Sequence, residues 1–252
     1  MDSSVMEVFH FKRFDVANEN SAMKVNTDGV LLGALATVPK VEAADFSVMD
    51  VGTGTGTIAL MIAQRLECQN NVKIIGIDID RASAVEAEIN FRNSAWRDRL
   101  RAMHVPLQRC SGNYDLILSN PPYYDNSLQN SDMRKNIARH TASPDDENED
   151  NSPLSFRILL DFAGEHLKQK GLLSVILPAD IERDVLRYGR ACGLFPVRIV
   201  RIRTTERKPV SRIVVEFSHA RSEGVEELLT VHEGNGYSSE YQSLMKDFYL
   251  WA

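Results

Sequence analysis

The sequence predicts a doubly wound α/β fold: a mainly parallel, seven-stranded sheet covered on both faces by helices, with one antiparallel strand near an edge. Three observations carry this. Apolar runs of strand length alternate with segments of helical spacing through most of the chain. The first of the buried strands runs straight into a glycine-rich turn. Two β-rich segments, residues 197–203 and 212–218, then flank a turn and read as a closing antiparallel pair.

The elements follow in order. In residues 1–46 the alternation of FHFKRFDV suggests strand, and DGVLLGALATV suggests a short helix. SVMDVG (47–52) is a buried strand entering the glycines, and TIALMIAQRL (57–66) has helical apolar spacing. VKIIGIDI (72–79) is a second buried strand, followed by a helix over 82–96. A third strand lies near 101–105 and a fourth, YDLILSN, over 114–120. A polar, acidic, proline-bearing loop spans roughly 124–153, a length that suits function or disorder. Helix 154–169, strand 172–178 and helix 181–192 precede the closing pair; a short strand near 228–231 and a helix over 238–249 follow it. The chain reads as one Rossmann-like domain over 1–252: an extension (1–46), a core sheet (47–218) and a C-terminal strand and helix (219–252). Its ligand is expected at the carboxyl ends of the strands, where the strand order reverses.

Composition narrows the class. With 252 residues, 43% hydrophobic and 25% charged, the chain can bury a large core without staples. Its three cysteines include no CxxC pair, so neither a zinc knuckle nor a disulfide framework is expected, and no metal site. No apolar run approaches the roughly 18 residues of a membrane span, and the N-terminus lacks an apolar signal segment. The expected compartment is the cytoplasm, with neither a membrane nor an obligate protein partner. A net charge of −6 argues weakly against nucleic acid, but charge is unevenly placed. Five acids crowd into residues 145–150, whereas Arg198, Arg201, Arg203, Arg207, Lys208 and Arg212 crowd into fifteen residues against Glu206 alone. The acidic run suits solvated surface. The basic run suits either solvated surface or nucleic acid.

Chemistry concentrates in three motifs. Asp50-Val51-Gly52-Thr53-Gly54-Thr55-Gly56 joins the first core strand to its helix. Glycines let backbone approach a ligand, and the helix N-terminus favours a carboxylate or phosphate. The acid before the glycines suits an ammonium group. S-adenosylmethionine carries both an ammonium and a carboxylate. Second, Asp78 ends the next strand, 22 residues after Gly56, where a carboxylate can accept the ribose hydroxyls of an adenosine. Asp80 is expected to cap the following helix. Third, Asn120-Pro121-Pro122-Tyr123 ends the fourth strand. This is the signature of methyltransferases acting on planar amino nitrogens. The Asn120 side-chain oxygen and the Pro121 carbonyl can accept the two hydrogens of such an amine and aim its lone pair at an activated methyl. Prolines stiffen that backbone, and Tyr123 offers a face for a flat base.

From Phe9 to the C-terminus the chain resembles the tRNA1(Val) (adenine-37-N6)-methyltransferase family, bacterial class I methyltransferases that modify the base beside the anticodon. The resemblance lies in Phe11-Lys12-Arg13-Phe14, the segment AMKVNTDGVLLG (22–33), the glycine turn, Ser119 to Tyr124, YSSEY (237–241) and FYL (248–250). It implies S-adenosylmethionine as cofactor, N6 of a tRNA adenine as target and the anticodon stem-loop as partner. It also implies that residues 24–33 pack over the cofactor with Thr27 near its methionine end. One departure stands out: where similar enzymes often place an acid that holds the cofactor adenine, this chain reads His104-Val105-Pro106-Leu107. A backbone N–H, for instance that of Leu107, can read the adenine ring in its place, and no side chain is assigned to the contact. For RNA contact the candidates are Arg207 and Lys208, on a hairpin expected away from the glycine turn, and Arg134, Lys135 and Arg139 in the loop after Tyr123. A protein-glutamine N5-methyltransferase, a DNA adenine methyltransferase and a non-catalytic cofactor-binding scaffold for RNA remain as alternatives.

Overall fold

The computed structural model describes residues 7–39, 45–122 and 154–252. Tyr123, Arg134, Lys135, Arg139 and the acidic run at 145–150 lie outside the described residues.

An N-terminal hairpin, β1 (Val8–His10) and β2 (Asp15–Ala17), leads to helix α1 (Thr27–Leu35). Then β3 (Phe46–Val51), α2 (Thr57–Arg65), β4 (Val72–Asp78), α3 (Arg81–Asn93), β5 (Leu100–His104) and β6 (Tyr114–Ser119) alternate as expected. After the loop come α4 (Phe156–His166), β7 (Leu167–Pro178), α5 (Glu182–Ala191), β8 (Phe195–Arg203) and β9 (Arg212–Ser218). The chain closes with β10 (Val225–Thr230), a two-strand ribbon, β11 (His232–Glu233) with β12 (Gly236–Tyr237), and α6 (Ser239–Met245).

The main sheet has eight strands in the order β10-β8-β9-β7-β6-β3-β4-β5. Strands β3 to β7 run parallel, and β9 is antiparallel to both neighbours. The eighth strand, beyond the seven expected, is β10, laid parallel along the edge of β8. Two ion pairs tie it there, Arg198 to Glu227 at 2.7 Å and Arg201 to Glu226 at 2.8 Å.

Strand alternation splits the interior into two cores. Phe46 and Val48 of β3 face one, with α1, α2, Phe91 of α3 and Tyr241 and Met245 of α6. Met49 and Val51 face the other, with Leu159, Leu160 and Phe162 of α4 and Val185 of α5. The strand order reverses at β3, whose flanking strands are β6 and β4. Val51 pairs with Ser119 there, and the Ser119 hydroxyl donates to the Val51 carbonyl at 2.8 Å. The glycine turn and Asn120 therefore leave the sheet side by side.

Candidate active site

The glycine turn uses the backbone freedom that glycine alone supplies cheaply. Gly52, Gly54 and Gly56 have φ of +70°, +56° and +83°. At Gly56 a Cβ would lie 2.5 Å from the Phe91 ring, so α3 closes directly on the turn. Gly52 and Thr53 both donate from backbone N–H to the Ile77 carbonyl at 2.9 Å, which holds the turn against the end of β4.

Asp50 sits fully buried beneath this turn. Its Oδ2 accepts from the Thr53 hydroxyl at 2.7 Å and from the Ala59 N–H at 3.2 Å. Its Oδ1 has no partner among the described residues. Burial pushes the carboxyl up to about 7; the Asp78 charge adds to the shift, and the Thr53 and Ala59 hydrogen bonds oppose it.

Asp78 closes β4 and meets the turn: its Oδ2 accepts from the Gly54 N–H and its Oδ1 from the Asp80 N–H, both at 2.9 Å. Burial raises its pKa, against these two hydrogen bonds. Asp80 caps α3 as expected, accepting from the Ser83 N–H at 2.9 Å. Leu107 follows β5, whose His104 lies in register with Asp78. Its side chain is buried in the second core and its backbone opens a 3-10 turn.

Asn120 is buried, Pro121 is buried and Pro122 half-buried. The Asn120 Nδ2 donates to Asn26 Oδ1 at 3.4 Å and faces the Met23 sulfur at 3.6 Å. Met23 to Asn26 thus lie across the turn; the Met23 carbonyl would sit 3.2 Å from a Cβ on Gly54. Together with Gly29, Gly52 to Thr55, Thr57, Ile58 and Asn120, that segment lines a small cavity of about 30 Å³. Thr27 itself is exposed at the first position of α1; Asn26 and Gly29 face the cavity. A larger hollow, about 580 Å³, opens at the far end of α2 between Lys12, Arg13, Arg65 and Lys246, away from the glycine turn.

The segment is held by residues outside the three motifs. Buried Glu86 accepts the N–H groups of Glu19, Asn20 and Ser21 at 2.8–2.9 Å. Asn90 bonds both backbone groups of Ala17 and donates to the Thr55 carbonyl at 2.9 Å. Asn18 accepts the Val25 N–H at 2.7 Å. Glu86 and Asn90 leave one trace in the sequence, polar residues on the apolar face of a helix, and Asn18 leaves none.

Comparison with known proteins agrees with this arrangement. The methyltransferase small domain model matches residues 24–144. A curated tRNA1(Val) (adenine(37)-N6)-methyltransferase of Christiangramia forsetii is 36% identical over 96% of this chain and 97% of its own length. That of Photobacterium profundum is 35% identical over 96% and 98%. The chain belongs to the tRNA1(Val) (adenine(37)-N6)-methyltransferase family.

Solved structures agree on the fold. A predicted O-methyltransferase from Agrobacterium tumefaciens superposes with a TM-score of 0.61 at 17% identity, covering 88% of this chain and 96% of that one. P. horikoshii TYW2 in complex with MeSAdo superposes with a TM-score of 0.55 at 14% identity, covering 87% and 74%.

For a member of this tRNA-methyltransferase family, the placement of the basic run matters, and it departs from expectation. The turn between β8 and β9 lies at the same end of the strands as the glycine turn, with β7 and β6 between them. Ser211 accepts from Ala179, just past the end of β7, at 3.2 Å, so the turn lies on the sheet edge from which the glycine turn and Asn120 leave. Most of the run's charge is spent within the fold. Arg198 pairs with Glu227, Arg201 with Glu182 and Glu226, and Arg212 with Asp28 of α1 at 2.8 Å. Arg203 donates to the Thr230 hydroxyl and the Glu206 carbonyl. Arg207 and Lys208 are exposed at the tip, with no ion-pair partner among the described residues.

Proposed function

We propose that this enzyme transfers the methyl group of S-adenosylmethionine to N6 of an adenine in tRNA, A37 of tRNA1(Val) being the base its relatives' names specify. The observation that carries the proposal is the adjacency of two strand ends: Asp50 with its glycine turn after β3, and Asn120-Pro121 after β6, in register across one pair of strands.

The cofactor fits the residues present. The unpartnered Oδ1 of buried Asp50 and the left-handed turn at Gly52, Gly54 and Gly56 suit a group bearing an ammonium and a carboxylate. Asp78 takes the ribose hydroxyls and the Leu107 N–H takes the adenine ring. Residues 24–33 pack over the methionine end, with Asn26 and Gly29 facing it and Thr27 beside them at the start of α1. When bound, the cofactor supplies an electrophilic sulfonium methyl.

The chain itself supplies position and electrostatics. Asn120 Oδ1 and the Pro121 carbonyl accept the hydrogens of the adenine amine, which localises its lone pair. Pro122 stiffens the backbone, and Tyr123 stacks on the base once it has left its own stack. No side chain acts as nucleophile. Arg207 and Lys208 on the shared sheet edge, with Arg134, Lys135 and Arg139, hold phosphates of the anticodon stem-loop in the cytoplasm. Among the described residues no helix is long and apolar enough to cross a membrane.

The test is incubation with labelled S-adenosylmethionine and separate pools of tRNA, duplex DNA and release factor, followed by nucleoside mass spectrometry. The expected result is N6-methyladenosine in tRNA alone. Label in release-factor glutamine, in DNA, or nowhere would overturn the proposal.

A further inference from the structure

Asn26 is the N-cap of α1, and both ends of its amide are fixed by backbone. Its Oδ1 accepts the Gly29 N–H at 2.9 Å, and its Nδ2 donates to the Lys24 carbonyl at 2.9 Å. A backbone N–H can only donate and a carbonyl can only accept, so this amide has one orientation. The oxygen thus fixed lies 3.4 Å from Asn120, and the Met23 sulfur, which carries no proton, lies 3.6 Å from the same atom. Turning the Asn120 amide over would set its oxygen against two acceptors with no hydrogen between them. The side of Asn120 facing α1 must therefore be the NH₂.

We propose that Asn26 is a positioning residue that holds the Asn120 amide with Nδ2 toward α1 and Oδ1 turned to the substrate amine. This rests on the acceptor role proposed above for Asn120. An amide in the opposite orientation would present hydrogens to the amine lone pair and oppose transfer. Asn26 sits on a steadied support. The Asp28–Arg212 ion pair, at 2.8 Å, ties the first turn of α1 to β9, and the Asn18–Val25 bond, at 2.7 Å, holds the approach.

Asn26→Ser and Asn26→Asp separate this role from helix capping. Serine caps a helix about as well as asparagine, but its hydroxyl is too short to reach Asn120. Aspartate keeps an acceptor toward both Gly29 and Asn120. With saturating cofactor and tRNA in single-turnover assays, Asn26→Ser is expected to slow methyl transfer about tenfold, the worth of one ordinary hydrogen bond. Its Tm and cofactor Kd are expected to stay close to wild type. Asn26→Asp is expected to restore most of the rate. Wild-type transfer by Asn26→Ser overturns the proposal and leaves Asn26 a simple cap; equal loss of rate and Tm in both variants also overturns it, because it marks a general loss of local structure. A wild-type enzyme that binds cofactor yet leaves tRNA adenine unmethylated removes the acceptor role beneath the proposal, and the proposal with it. Normal wild-type activity beside an indifferent Asn26→Ser removes the positioning alone.

Discussion

Asp50 has no solvent contact, and burial lifts its carboxyl to about 7. The sign follows from that direction. The folded protein retains a proton that the unfolded chain has already released, so this group's contribution to stability falls as pH rises from about 4 to about 7. With the ammonium against Oδ1, as proposed above, the ionised form is favoured and cofactor binding is expected to expel that proton. Cofactor Kd is expected to be about tenfold or more weaker at about pH 5.5 than at about pH 7.5 in calorimetry. Asn in place of Asp50 is expected to flatten the profile; an equally steep profile in Asp50→Asn would place the titrating group elsewhere. The acceptor role proposed for Asn120 predicts an effect on rate instead. Asn120→Ala is expected to leave cofactor affinity nearly intact and to slow single-turnover transfer at least about 100-fold, a usual loss for a preorganised hydrogen-bonding group. Wild-type turnover in that variant would remove its acceptor role.

At the scale of elements, α3 does more than cover the sheet. Three of its buried polar side chains, Ser83, Glu86 and Asn90, face the N-terminal segment and the glycine turn. Glu86 alone accepts the backbone N–H groups of residues 19–21, of which that of buried Ser21 would otherwise be stranded in a low-dielectric site. Glu86→Ala is expected to cost about 2–4 kcal/mol in urea unfolding and to weaken cofactor binding, because residues 19–26 lose their anchor. A loss under about 1 kcal/mol would show that solvent replaces the carboxylate. Neighbouring elements also set one another's limits. Helical spacing suggests a helix to residue 169, yet α4 stops at His166 and β7 begins at Leu167. The tertiary ties are His166 to the Gly112 carbonyl at 2.7 Å, and Lys168 to Asp115 at 2.6 Å.

Across the whole molecule, one sheet edge carries the glycine turn, Asn120, the β8–β9 turn and the ribbon after β10. The His232 N–H donates to the Thr204 carbonyl at 2.8 Å, which joins the last two. A tRNA gripped at Arg207 and Lys208 would approach the edge that holds the reacting groups. Arg207→Ala with Lys208→Ala is expected to raise the tRNA Kd about tenfold and to flatten its salt slope by up to about two, one counterion per lost phosphate contact. Cofactor affinity is expected to be unchanged, because β7 and β6 stand between that turn and β3, although both turns lie at the same end of the strands. An unchanged tRNA Kd and slope would move the RNA path to Arg134, Lys135 and Arg139.

The order and type of nearly every core element are legible in the chain alone, since apolar period and glycine or proline punctuation are local signals. The same local signals put Asp50 and Asn120 at two strand ends, because each stands directly beside turn residues whose conformations are locally dictated. Only the tertiary structure decided that those ends meet, through the Val51–Ser119 register, and that β10 extends the sheet. It also decided which charges are available. Arg198, Arg201 and Arg212 look alike in sequence with Arg207 and Lys208, but their carboxylate partners on β10, α5 and α1 lie 19 to 184 residues away. Asn26 was hidden for the same reason: capping is a local role, while its contact with Asn120 spans 94 residues and exists only once α1 is packed on α2.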